Sequence, residues 1–222
     1  MIDQILQQRT MEARDWATVI FVIALILVAV AKTAFESRFY DFLRLIVSDK
    51  YVKIYRDSSN LLSGFTIALF VVQLVSFSFF IQLTLSYFNA NISKTDWILF
   101  IQIFTFFSVF VLAKFLIEKI IATAFNIEEF AEQYNLQKVT YRTYIGLLLL
   151  PIDLVLFYTN NPSKWIIIGT IITILAINLF TYLVSLKNYQ NIIFGKLFYF
   201  ILYLCALEIA PYYFIYYLFS KS

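Results

Sequence analysis

Two carboxylates lie inside long apolar runs of this chain, and each has a proline close by. Glu208 stands in Leu204-Cys205-Ala206-Leu207-Glu208-Ile209-Ala210-Pro211, and Asp153 follows Pro151 in an earlier run. A carboxylate at bilayer depth costs roughly 2.5–3.5 kcal/mol on insertion scales, so a polar partner or a function must offset it. Proline removes a helical hydrogen bond and frees a carbonyl. Carboxylates beside loosened helices are the material of proton and cation sites in transporters. The competing reading is structural, with each carboxyl protonated or hydrogen-bonded to Tyr, Thr or Asn of a neighbouring helix. A contact with a partner protein is the third. Lys114 lies near the end of another run, where its stem can rest in lipid while the ammonium reaches water. Pairing with a carboxylate is the alternative for Lys114.

Other chemistry is excluded by what the chain lacks. It has no histidine and one cysteine, Cys205. That removes His-ligated metal and haem sites, the Ser-His and Cys-His catalytic pairs, and any disulfide within the chain. Gly-x-Ser-x-Gly, phosphate-loop and dinucleotide fingerprints are also missing. We expect no enzyme activity, no cofactor and no metal. Cys205 reads as a small packing residue.

The elements that position these groups follow from composition. Of 222 residues, 62% are apolar and only 14% are charged, against roughly 25% charged in soluble domains. The solvent for so much apolar surface is lipid, and about 20 apolar residues cross a bilayer. Six spans are predicted, at Trp16–Phe35, Leu61–Phe88, Trp97–Leu116, Tyr141–Tyr158, Trp165–Leu186 and Leu197–Phe219. All are helices, because a span in lipid must satisfy its own backbone. The expected fold is an all-α polytopic membrane bundle, one domain over the whole chain, with amphipathic cytoplasmic helices. At 1.5 Å per residue, Asp153 lies about 18 Å from Tyr141 and Glu208 about 16 Å from Leu197. The two carboxylates therefore reach a similar depth.

Charge sets the expected orientation. Connections after spans one, three and five, with the span ends, hold 12 of the 17 Lys and Arg, among them Arg38, Arg44, Lys50, Lys53, Arg56 and Lys138. The positive-inside rule makes that side cytoplasmic and puts both termini outside. A signal-peptide reading of the first span, with Arg9 and Arg14 before it, would place Arg38 to Arg56 outside, against that rule. Net charge is +3, and the cations are spread over loops, so no nucleic-acid patch is present.

Two cytoplasmic segments have helical periodicity. Phe39, Phe42, Leu43, Ile46 and Val47 alternate with Arg38, Asp41, Arg44, Asp49 and Lys50, an amphipathic pattern expected to lie on the inner membrane face. In Asn126–Leu136, Ile127, Phe130, Ala131 and Tyr134 form one face, and Glu128, Glu129, Glu132 and Gln133 the other. Asn126 with Glu129 makes a capping box. These three glutamates are candidate contacts for a basic loop of the same chain or for a partner. Within the spans, Thr66, Gln73, Ser76 and Thr84 share a stripe on the second, and Thr170, Thr173, Asn178 and Thr181 on the fifth. Such stripes join helices or line a polar path.

The run Tyr203–Pro211 resembles the closing signature of a Bacteroidota family of multi-spanning membrane proteins of unknown function. Arg14-Asp15-Trp16, Lys114-Phe115 and Leu147–Pro151 resemble other parts of the same pattern. Asp153 lies outside it. The resemblance implies the inner membrane of a Gram-negative cell and carries no activity. Two functions compete. One is a non-enzymatic subunit or assembly factor of a membrane complex, with the bilayer and a membrane-protein partner or a second copy as its contacts. The other is a small proton- or cation-coupled transporter using Glu208 and Asp153.

Overall fold

A computed structural model describes residues 14–46, 51, 54, 63–89, 92–124, 128–159 and 163–188. Among them the chain forms six α-helices and no strand: α1 (Asp15–Ala34), α2 (Glu36–Leu43), α3 (Gly64–Phe88), α4 (Trp97–Ala124), α5 (Glu128–Tyr158) and α6 (Lys164–Asn188). A single 3-10 turn, Arg44–Ile46, follows α2.

Helix starts are set by local side chains. Ser63 Oγ accepts from the Thr66 amide at 3.4 Å and caps α3. Asp96 Oδ1 accepts from the amides of Ile98 and Leu99 at 3.0 and 3.4 Å and caps α4. Four stretches are long and apolar enough to cross a membrane: Asp15–Ala34, Gly64–Phe88, Trp97–Ala124 and Asn135–Tyr158. The described apolar stretch of α6, Lys164–Leu179, is shorter. The sixth predicted span, with Glu208 and Pro211, lies outside the described residues.

α4 continues past Leu116 to Ala124, as expected from Glu118 and Lys119, which extend the helix beyond the span towards Phe125. One boundary differs from the sequence expectation. The acidic segment and the fourth span are one 31-residue helix, α5, rather than two. Gln137-Lys138-Val139-Thr140, which joins them, contains neither Gly nor Pro, so nothing stops the helix. Pro151 sits inside α5 without ending it, as prolines do in membrane helices where neighbours and local adjustment absorb the lost bond.

α3 is the most enclosed helix, and α1, α4 and α5 pack around it. Near one end, Phe79 stacks on Phe21 with ring centroids 4.2 Å apart and meets Phe100 at 4.4 Å and Phe157 at 5.7 Å. Those rings lock four helices together. The same end is closed by polar contacts. Trp16 Nε1 donates to Thr95 O at 3.1 Å, Gln82 Nε2 to Asp96 O at 2.7 Å and Lys94 Nζ to Thr159 O at 2.6 Å. The start of α1, the turn before α4 and the end of α5 thus share one end, as up-and-down helices require.

At the opposite end the apolar side of α2 packs against the bundle. Phe39 and Phe42 are buried, and Phe42 meets Phe65, Tyr51 and Tyr144 edge-on at 5.6–5.8 Å. Its apolar face is used by α3 and α5. Leu43, expected on that face, is exposed.

Candidate functional site

The polar interior is concentrated where α3 crosses α5. Gly146 lets the two backbones meet: a Cβ at this position would lie 2.8 Å from Gln73 Cα. Small residues permit such close approach between membrane helices. Three residues before the glycine, Thr143 Oγ1 donates to Gln73 Oε1 at 2.9 Å. Asp153 lies seven residues after it, on nearly the same face of α5, because seven steps of 100° return to within about 20°. Its Oδ2 accepts from Ser76 Oγ at 2.8 Å. Asp153 is 0% exposed. Its second oxygen, Oδ1, is buried and has no hydrogen-bond partner among the described residues. Gln73 and Ser76 come from the stripe read on the second span, and both are used in contact with α5.

Other sequence candidates fall elsewhere. Pro151 is exposed and lies two residues, or about 200°, round the helix from Asp153. The carbonyl it frees is that of Leu147, about 120° from Asp153. Carboxylate and loosened backbone are therefore on different faces of α5. Thr66 accepts from Arg38 Nη2 at 3.2 Å, away from the seam. Thr84 Oγ1 is buried without a partner among the described residues. On α6, Thr170, Thr173 and Asn178 donate to carbonyls one turn back, those of Ile166, Gly169 and Ile174, at 2.8 Å each. The two threonine hydroxyls bond to their own helix; the side chain of Thr181 lies outside the described residues.

Lys114 does not reach outward as the snorkelling reading requires; it is 7% exposed. One turn on, Glu118 is 4% exposed and accepts from Lys138 Nζ at 2.9 Å, an ion pair joining α4 to α5. Glu128 is exposed at the start of α5. Glu129 and Glu132 follow on the same helix, with side chains outside the described residues, as are Glu208 and Pro211.

The sequence reading missed Arg38. It was assigned to a polar face, yet it is 8% exposed. Its Nε donates to Tyr51 Oη at 3.2 Å and its Nη1 to Ser63 Oγ at 2.9 Å. The guanidinium also sits 4.9 Å from the Phe65 ring centroid, a cation–π distance. A signal was present: Arg38 is four residues before Phe42 and so shares its helix face.

A continuous helical core, apolar stretches of membrane-crossing length and polar groups held at one inter-helix seam define an all-helical, membrane-type protein. Among the described residues no three of Cys, Asp or Glu converge as a metal site would need. A family described as a domain of unknown function (DUF4271) matches residues 17–219, and the chain belongs to that family. No curated protein and no solved structure matches it.

Proposed function

We propose that this protein is a non-enzymatic subunit or assembly factor of an inner-membrane complex, with six spans and both termini on the outer side. The observation that carries this reading is the filled core. Phe21, Phe79, Phe100 and Phe157 occupy the space between α1, α3, α4 and α5, and a packed interior suits a scaffold. The outward surface fits the same role. Phe106, Val109, Leu112, Leu116 and Ile120 make an exposed apolar side of α4, available to lipid or to a neighbouring membrane helix. The positive-inside rule supports the orientation, since Arg38 and Arg44 on and after α2, Lys119 near the end of α4 and Lys138 in the first turns of α5 belong to the connections after spans one and three.

The second reading is a proton- or cation-coupled transporter using Asp153 and Glu208. It is favoured by one observation, the buried Asp153 carboxyl with its unpartnered Oδ1. Purification in mild detergent followed by native mass measurement separates the two. A stoichiometric partner protein supports the subunit reading. A lone monomer or dimer that drives pH-dependent solute uptake in proteoliposomes overturns it in favour of the transporter.

A further inference from the structure

Among the described side chains, Asp153 is the one buried carboxyl of α3 and α5. Gln73 and Thr143 bond each other, and Ser78 donates to its own helix at Leu74 O. Asp153 has one bond, from Ser76, and nothing at Oδ1 among the described residues. We propose that Asp153 is a reversible proton-binding site, with the proton carried on Oδ1 and Oδ2 held by the Ser76 hydroxyl.

The division of labour between the oxygens follows from the donor. Ser76 Oγ donates to Oδ2, so Oδ2 is the carbonyl oxygen of the neutral acid and Oδ1 carries the hydrogen. On release, the charge spreads over both oxygens while the Ser76 bond persists and strengthens. Among the described residues no cation bonds to Asp153 to hold a permanent carboxylate. The chargeable side chains described on the neighbouring helices are Asp15 and Lys32 on α1, Tyr87 on α3, Lys114, Glu118 and Lys119 on α4, and Lys164 on α6. On α5 itself they are Glu128, Lys138, Tyr141, Arg142, Tyr144 and Tyr158. None of these bonds to Asp153; Ser76 does. An acid in this position can shed its charge by taking a proton, and an unpaired buried charge is far costlier than the neutral group. Asp153 is five residues, about 7.5 Å along the axis, from the exposed Tyr158 at the end of α5.

The inference stands on the seam alone and holds for a subunit or a transporter, so the native mass result leaves it untouched. The test is pH-difference infrared spectroscopy of the full chain in liposomes. We expect a protonated-carboxyl carbonyl band that is absent in Asp153→Asn, disappears as the pH is raised and returns when it is lowered. Ser76→Ala keeps the carboxyl and removes the hydrogen bond to its carbonyl oxygen, so the band should move to higher wavenumber. That variant identifies the band even if Asp153→Asn does not fold. An Asp153 band that stays constant over the whole pH range of the folded protein overturns the proposal in favour of a permanently neutral structural acid. No Asp153-dependent band at any pH, or a titrating band that Ser76→Ala leaves in place, also overturns it.

Discussion

Arg38 and Asp153 are both buried, and the fold treats them in opposite ways. Arg38 is wrapped: hydroxyls of Tyr51, Ser63 and Thr66 accept from its guanidinium, and the Phe65 ring lies against it. Asp153 receives one hydrogen bond, and one of its oxygens is bare among the described residues. A guanidinium keeps its charge, so burying it requires acceptors for its donors. A carboxyl can discharge by taking up a proton, so one neutral donor suffices. The two ends of the bundle therefore have different roles. The Arg38 end is a clasp that ties α2 to α3, and the α3–α5 seam holds a group whose charge is free to change.

The largest effect is expected at the clasp. Arg38→Ala should cost about 3 kcal/mol or more, since hydrogen bonds to a charged group are worth roughly 1.5–3 kcal/mol each. Arg38→Lys should recover only part of this, because an ammonium cannot replace a planar fork. Denaturant titration in detergent, followed by tryptophan fluorescence, measures both. An Arg38→Ala protein as stable as the parent would dissolve the comparison.

At the seam, the glycine matters more than the acid for stability. Gly146→Ala pushes a methyl group into Gln73 Cα and should destabilise by about 1–3 kcal/mol, as overpacking does. Asp153→Asn preserves shape and an acceptor for Ser76, so its stability cost should be only about 0.5–1 kcal/mol. The reverse order, with Asn worse than Ala in the same assay, would show the ionised carboxylate to be a structural bond. Thr173→Val on α6 should change stability by no more than about 0.5 kcal/mol, because among the described residues its hydroxyl bonds the Gly169 carbonyl of its own helix.

How far the sequence could be read depends on what each signal encodes. Apolar runs encode helices in lipid directly, so α1, α3 and α4 begin within three residues of the predicted spans. Periodicity also placed Gln73 and Ser76 on one face, which is how the α3 half of the seam could be seen. The α5 half could not. Asp153 was legible as a costly residue, but pairing it with Pro151 used closeness in sequence where helical rotation decides, and the two face apart. Ser76 as its partner depends on which helices touch, and Gly146 permits that contact between residues 77 positions apart in the chain. Arg38 was misread because charge suggested solvent, while its neighbours Tyr51, Ser63 and Phe65 come from beyond the next turn. On α6 the threonine stripe has the right spacing and bonds inward to its own backbone, a use that spacing alone does not reveal.

The central claim is that this bundle spans a membrane, with the turn before α4 on one side and the α4–α5 connection on the other. Cysteine accessibility in whole cells, on a Cys205→Ala background, tests it most directly. Ser93 and Glu128 are both exposed, and the 28-residue α4 lies between them. We expect Ser93→Cys to react with a membrane-impermeant thiol reagent in intact cells and Glu128→Cys to react only after permeabilisation. Labelling of both from outside, or the opposite pattern, would contradict the account.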